Sequence, residues 1–219
     1  MIRPAKKVPT VWWSSPNPMS LKPNRSTMAI LVIGEIIFGL GDSLLIAAGV
    51  GNTPWTVLAE GIADTTEVWT IGEATFLVSV AVMFLWIPIK ETPGIGTILN
   101  IIIIALTIHV MVPILPQPEN PLVSILMASS GIVLVGIGSS MYLTANLGPG
   151  PRDGWMTGLQ RTTGIPIGRV RIAIESSVLV IGIVLGGTFG IGTILFAVTI
   201  GPVVASCLSI TSRIDSTTR

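Results

Sequence analysis

The chain has 219 residues, of which half are hydrophobic and only 11% carry a charge, and its mean hydropathy is +0.81. Soluble domains carry charges on about a quarter of their residues, so this composition excludes an ordinary soluble fold and indicates an integral membrane protein. The formal net charge of +1 argues against a nucleic-acid partner. The single cysteine, Cys207, excludes an internal disulfide framework and a cysteine-based zinc site.

The chain begins with a polar, proline-rich stretch that contains Trp12, Trp13 and five Lys or Arg residues. This stretch is longer than the basic region of a secretory signal, so residues 1–26 are predicted to be a flexible cytoplasmic arm that touches the lipid headgroups. Six apolar segments follow, each close to the length of about 20 residues that a membrane helix needs. They are residues 27–50, 72–89, 96–115, 121–145, 170–186 and 191–210, and residues 211–219 form a predicted cytoplasmic tail.

Two short segments that begin with proline follow the first and the fourth apolar segments. They are Pro54–Asp64 and Pro151–Thr163. Proline is favourable in the first turn of a helix, because its missing N–H would have no helical partner there. Both segments are too short to span a bilayer, so each is predicted either to lie on the membrane surface or to enter the membrane as a half-helix.

The two halves of the chain are related by a sequence repeat. Adding 97 to Gly39, Gly41 and Pro54 reaches Gly136, Gly138 and Pro151; after a one-residue gap the offset is 96, and Gly-Ile-Gly-Thr-Ile-Leu recurs at 94–99 and 190–195. The copies, 27–115 and 116–210, each contain three apolar segments, so they must cross the membrane in opposite directions. The predicted fold is all-α, with six transmembrane helices in two inverted-topology three-helix repeats and a short extra helix after the first span of each.

The charges agree with this prediction of six spans. All 12 Lys and Arg residues then fall on one side of the membrane, whereas the loops on the other side carry acids: Glu60, Asp64, Glu67, Glu73 and Glu119. Basic residues concentrate on the cytoplasmic side of membrane proteins. The sequence therefore predicts a multi-pass protein of the bacterial cytoplasmic membrane with both termini in the cytoplasm.

These motifs resemble the YczE family of bacterial membrane proteins over about residues 30–208. The resemblance rests on Gly39-Leu-Gly41, Pro54-Trp55, the two Gly-Ile-Gly-Thr turns, Gly148-Pro-Gly-Pro-Arg-Asp-Gly154 and Arg171-x-x-x-Glu175. It implies a six-helix integral membrane protein and supplies no reaction. Family members often have Asp after the first Pro-Trp, where this chain has Thr56.

Three acids lie within predicted membrane helices. Glu35 and Asp42 are seven residues apart and share one helix face, and each ionised acid costs about 2.5–3.5 kcal/mol near the bilayer centre. Two interpretations are open. In one, the acids form a proton or cation site in a polar cavity; in the other, they are neutral and bonded to a neighbouring helix. Glu175 follows Arg171 by one turn, so it either forms an ion pair that lets the helix enter the membrane or accepts a proton or a substrate cation.

Arg152 and Asp153 lie at the start of the second short helix, with Asn146 just before it. A helix N-terminus has free N–H groups and a partial positive charge, so this cluster predicts either a site for an anion or a capped turn in which Asp153 bonds those groups. His109 is the only histidine. It is predicted to bond a backbone carbonyl or to join a proton relay, while Tyr142 and Trp155 are predicted to mark the membrane interface or to line a cavity.

The sequence contains no nucleotide-binding loop, no paired-His metal motif and no nucleophile with a credible base, so we predict no enzyme, cofactor or metal site. The main hypothesis is a secondary transporter of a small molecule or ion, with proton or cation coupling as an option and a site at the repeat interface. Its partners are the lipid bilayer and that solute, and nothing indicates a homo-oligomer. The alternatives are a membrane-embedded substrate-binding subunit of a larger transport complex and a scaffold that transports nothing.

Overall fold

The computed structural model describes residues 8–66, 68–165 and 167–217. Within these ranges the regular structure is helical, and no strand occurs. The helices, in chain order, are α1 (Arg25–Ala48), α2 (Pro54–Thr66), α3 (Ile71–Phe84), α4 (Trp86–Ile89), α5 (Ile95–Met111), α6 (Pro121–Ala145), α7 (Pro151–Thr163), α8 (Ile167–Val184) and α9 (Ile191–Thr217). Both short helices that begin with proline form where the sequence predicts them.

Helical segments that are long and apolar enough to cross a membrane account for four of the six predicted spans. They are Arg25–Ala48, Ile71–Ile89, Pro121–Ala145 and Ile191–Arg213. The predicted third span is the apolar helix α5, which has only 17 residues. The predicted fifth span is α8, which carries Arg169, Arg171 and Glu175 and is therefore more polar than a typical membrane helix.

Helix ends follow the local sequence. Thr70 and Glu73 form a capping box at the start of α3, in which each side chain accepts a hydrogen bond from the backbone N–H of the other residue. The Asn120 side chain accepts a hydrogen bond from Leu122 N at the start of α6. Gly49, with a φ of 66°, ends α1 in the left-handed conformation that glycine adopts without strain.

Helices α1 and α6 pack against each other through two pairs of glycines. A Cβ added to Gly41 would lie 2.6 Å from the Gly131 carbonyl oxygen, and one added to Gly138 would lie 2.5 Å from the Gly34 carbonyl oxygen. The helices run in opposite directions at this contact, since residue numbers rise along one as they fall along the other. Gly34 and Gly131, like Gly41 and Gly138, are 97 residues apart, so each repeat meets the other through equivalent residues.

A second contact between the halves is also reciprocal. Gly96 N donates to Leu147 O at 2.8 Å, and Gly192 N donates to Val50 O at 2.7 Å. Positions 50 and 147 differ by the offset of 97, and positions 96 and 192 by the offset of 96. The repeated Gly-Ile-Gly-Thr motif is therefore a site where the backbone of one half meets the backbone of the other, and the absence of side chains permits this approach.

Two of the hydrophobic cores lie in different groups of helices. One core joins α1, α6 and α9 around Leu45, Ile132 and Phe196. The other joins α2, α3, α7 and α8, and includes Trp55 and Met156. Helix α2 and the N-terminal part of α7 are thus packed against the other helices of the bundle, whereas the last turn of α7 is exposed.

The packing of the outer helices differs between the halves. In the first half, α3 packs directly against α5. In the second half, α8 packs against α2 and α7 and makes no comparable contact with α9 along the described residues. Helices α3 and α5 are therefore packed together, whereas their equivalents α8 and α9 are separated.

Part of the N-terminal arm is docked on the helix bundle, where the sequence predicts a flexible segment at the headgroups. Trp13 Nε1 donates to Thr144 Oγ1 at 3.2 Å, and Ser15 N donates to Ala145 O at 2.9 Å. Trp13 and Ser15 are buried, so this part of the arm is docked on the C-terminal end of α6. At the other terminus, α9 continues to Thr217, well into the predicted tail.

Candidate functional site

A cavity of about 140 Å³ lies between the first turns of the two short helices. Pro54 and Trp55 of α2 line it, as do Arg152 and Asp153 of α7. Pro54 and Pro151 are repeat partners, so equivalent helices present their N-termini to one cavity. Each N-terminus contributes a partial positive charge to the cavity.

Arg152 places a cationic side chain in the cavity wall at the first turn of α7. Its guanidinium carbon lies 5.1 Å from the centre of the Trp55 ring, in the geometry of a cation–π contact. Ion pairs within 4 Å in the described residues join Arg161 to Glu91 and Arg171 to Glu175, so Arg152 has no direct carboxylate partner there. Asp42 and Asp153 are the acids with which its charge interacts most.

The carboxylate of Asp153 is bonded to α6. Tyr142 Oη donates to Asp153 Oδ2 at 2.5 Å, and the Tyr142 side chain is buried and lines the cavity. Helix α7 begins after Gly150 with no side-chain cap. The Asp153 side chain therefore does not cap α7 in the structure, and Tyr142 lines the cavity.

Glu175 and Arg171 form the part of the wall that α8 contributes. Arg171 Nε donates to Glu175 Oε1 at 2.9 Å, which confirms the predicted pairing across one helical turn. Both side chains line the cavity and both keep partial contact with the outside, with 24% and 46% of the Glu175 and Arg171 side chains exposed.

Glu35 and Asp42 lie behind the cavity wall. Both are completely buried and neither lines the cavity, so their roles as proton or cation sites stay predictions. Asp42 Oδ2 accepts a hydrogen bond from Thr56 Oγ1 at 3.2 Å. Neither Glu35 oxygen has a hydrogen-bond partner among the described residues, although the Asn100 side chain lies beside it.

The other two predicted site residues lie elsewhere. His109 is exposed, and its Nδ1 lies 2.9 Å from Thr70 Oγ1 at the start of α3. Its observed partner is therefore a side-chain hydroxyl, where we predicted a backbone carbonyl or a relay. Asn146 Nδ2 donates to Ser15 O at 2.7 Å, so Asn146 holds the N-terminal arm.

Two buried polar groups of the cavity wall have no hydrogen-bond partner among the described residues. They are Trp55 Nε1 and Thr75 Oγ1, on side chains that are 5% and 2% exposed. Buried polar groups are normally bonded, so these two atoms give the cavity unused hydrogen-bonding capacity. The sequence singles out Trp55 through the Pro-Trp motif and gives no signal for Thr75.

The described residues contain no cluster of three or more His, Cys, Asp or Glu side chains with the geometry of a metal site. The side chains that line the cavity offer hydrogen bonds and charge. Its walls combine one guanidinium without a direct ion pair, two acids that are already bonded, and the unpartnered donors of Trp55 and Thr75.

Comparison with known proteins places the chain in a family. Residues 25–209 match the model of a family of unknown function, DUF6198. The chain belongs to this family. It is 45% identical over 188 residues to an uncharacterized protein of Haemophilus influenzae, with 86% of each chain covered.

Two Bacillus subtilis relatives complete this comparison. YczE, an uncharacterized membrane protein, is 34% identical over 173 residues, which cover 77% of this chain and 79% of YczE. YyaS, an uncharacterized protein, is 28% identical over 176 residues, which cover 74% and 83% of the two chains. The resemblance to YczE is thus confirmed, and with the apolar helices it identifies an integral membrane protein. No solved structure matches this chain.

Proposed function

We propose that this member of the family is a secondary transporter, which carries a small solute across the bacterial cytoplasmic membrane through the cavity between α2 and α7. The observation that carries the proposal is the convergence of two equivalent helix N-termini on that cavity. Inverted repeats with interrupted helices at matching positions are a recurrent transporter design, with the substrate near the membrane midplane. In this account α2 and α7 are half-helices that enter the membrane from opposite sides.

The reciprocal contacts support inverted repeats. The glycine pairs between α1 and α6 and the bonds at Gly96 and Gly192 both exchange equivalent residues between the halves. A two-fold relation between two copies produces this pattern. The first repeat then comprises α1 to α5, and the second comprises α6 to α9.

The unequal packing of the outer helices supports alternating access. The cavity has Glu175 of α8 and Ile200 of α9 in its wall, and these two helices are separated, whereas α3 and α5 are packed together. If the halves exchange arrangements, α8 closes on α9 and α3 parts from α5. Access to the cavity then passes from one repeat to the other.

The distribution of charge supports the proposed orientation. Lys90, Arg161 and Arg213 lie near one end of the helix bundle, whereas Glu60, Asp64 and Glu119 lie in the segments that join its other end. Because basic residues concentrate in the cytoplasm, we place both termini there. The buried acids Glu35 and Asp42 would serve proton or cation coupling, since ionisable groups inside membrane helices commonly serve transport.

A cysteine-labelling experiment tests the proposed alternation without knowledge of the solute. Ser139 lines the cavity, whereas its neighbour Ser140 is buried in the packing of α6. Each residue is replaced by cysteine in a Cys207→Ser background, and a membrane-impermeant maleimide is applied from one side of oriented vesicles. We expect Ser139→Cys to react from both sides, because the cavity opens to each in turn, and Ser140→Cys to react from neither.

The other outcomes separate the alternatives. Reaction of Ser139→Cys from one side alone contradicts alternating access and favours a substrate-binding subunit of a larger complex. No reaction from either side, with full reaction after denaturation, contradicts an accessible cavity and favours a scaffold.

A further inference from the structure

The unused hydrogen-bonding groups of the cavity include two donors. Trp55 Nε1 can only donate, and Thr75 Oγ1 can donate or accept; both are nine-tenths buried without a partner among the described residues. The Arg152 guanidinium lies over the Trp55 ring and brings further donors and a positive charge. A ligand that satisfies all three must offer acceptor atoms.

The acids in and behind the wall already have hydrogen-bond partners. Asp153 already accepts a bond from Tyr142, and Glu175 is paired with Arg171. Asp42 lies behind the wall and accepts from Thr56. Among the described residues that line the cavity, Arg152 is the cation without a direct ion pair, so its guanidinium N–H groups are available to the acceptor atoms of a ligand.

The two helix N-termini differ in a way that places the ligand at α7. At α2, Thr53 Oγ1 accepts a hydrogen bond from Thr56 N at 3.2 Å and caps the helix. The position equivalent to Thr53 in the second repeat is Gly150, which has no side chain to cap α7. The first turn of α7 therefore keeps its N–H groups for another acceptor, and such groups bind oxyanions.

We infer that the cavity binds the oxyanion group, carboxylate or phosphate, of a small solute at the N-terminus of α7, with Arg152 as its charge partner and Trp55 and Thr75 as further hydrogen-bonding residues. The inference rests on the proposed transport function and names its substrate class. A cavity volume of about 140 Å³ suits a compact solute. Carboxylates and phosphates share the chemistry, and experiment distinguishes them.

The test measures thermal stabilisation of the purified full-length protein in lipid nanodiscs. Sodium acetate, sodium phosphate and methylammonium chloride are titrated separately against a sodium chloride baseline. We expect at least one oxyanion to raise the unfolding temperature in a saturable manner, because a ligand that binds only the folded state stabilises it. Stabilisation by acetate alone identifies a carboxylate, stabilisation by phosphate alone identifies a phosphate, and stabilisation by both supports the shared oxyanion site.

Variants locate the binding site. Arg152→Gln removes the cation, and we expect at least a roughly tenfold loss of anion affinity, as for a hydrogen bond to a charged group. Arg161→Gln is the matched control, because Arg161 lies on the same helix and bonds Glu91 outside the cavity. Trp55→Phe keeps an aromatic ring for Arg152 but replaces the indole by a smaller phenyl ring without an N–H, so it tests the site if Arg152→Gln fails to fold.

Stabilisation by methylammonium alone, or by none of the three probes, overturns the inference. Anion stabilisation that survives both Arg152→Gln and Trp55→Phe unchanged does so as well. The labelling of Ser139→Cys is scored independently, so labelling from both sides without oxyanion binding removes the substrate class and leaves the transport proposal standing. Oxyanion binding with labelling from one side alone retains the site and removes the transport cycle.

Discussion

Near the cavity, equivalent residues of the two repeats form different hydrogen bonds. Thr56 and Asp153 are repeat partners; Thr56 donates to Asp42 on α1, and Asp153 accepts from Tyr142 on α6. Each bond ties a short helix to the first helix of its own repeat. Donor and acceptor are therefore exchanged between the two repeats.

The buried acids of α1 should respond in opposite ways to substitution. Glu35→Met removes a buried carboxyl group that lacks a hydrogen-bond partner among the described residues, so we expect stability to rise by about 1–3 kcal/mol. Asp42→Leu removes the acceptor of Thr56 and an acid beside Arg152, so we expect stability to fall by a similar amount. Unfolding of both variants in detergent by SDS titration measures the difference. A loss of stability in Glu35→Met would show that Glu35 has a stabilising partner.

Individual site residues were predictable only where a local pattern marks them. The spacing of Arg171 and Glu175 predicts their ion pair, and the Gly-Pro-Gly-Pro-Arg-Asp motif singles out Arg152. Tyr142 gave a weaker signal, because its partner Asp153 lies on another helix beyond a turn. Asn146 was misplaced for the same reason, since its partner Ser15 comes from the arm, 131 residues away in sequence.

At the scale of helices, glycines set how closely α1 approaches α6. Small residues permit such close approach of membrane helices, and a Cβ at Gly41 or at its repeat partner Gly138 would meet a backbone carbonyl within 2.6 Å. Gly201 of α9 provides a contrast, because a Cβ there would meet no atom within 4 Å. The glycines therefore fall into contact and non-contact positions.

Alanine substitutions test this division. We expect Gly41→Ala and Gly138→Ala to lower stability by about 1–3 kcal/mol each, since the added methyl group forces the helices apart. Gly201→Ala should leave stability unchanged or raise it by up to about 1 kcal/mol, because alanine favours the helix over glycine. Unfolding in detergent provides the measurement, and equal effects at Gly201 and Gly41 would contradict the close helix contact.

Helices were more predictable than their packing. The apolar lengths and the two prolines located every helix of nine or more residues, with boundary shifts at α5 and α9. The break at Leu85 between α3 and α4, the docked arm and the separation of α8 from α9 were not predicted. Each depends on contacts between segments that are distant in sequence. The repeat favours identical packing in both halves, whereas α8 and α9 are packed differently from their equivalents α3 and α5.

At the scale of the whole molecule, the proposed fold consists of two copies of one unit that face opposite ways and share one cavity. The reciprocal contacts join the halves, the short helices supply the cavity, and the unequal outer helices offer two arrangements to exchange. The sequence repeat predicts the pairing of the halves. The polar groups around the cavity come from positions where the copies differ, such as Thr53 and Gly150.

The side of the membrane at which each Gly-Ile-Gly-Thr corner lies tests the central claim most directly. Pro93 and Phe189 are repeat partners that directly precede the two corners, and both are exposed. Each is replaced by cysteine in a Cys207→Ser background, and an impermeant maleimide is applied to oriented vesicles or intact cells. The account predicts that Pro93→Cys reacts from the cytoplasmic side and Phe189→Cys from the opposite side. Reaction of both from the same side would contradict inverted repeats.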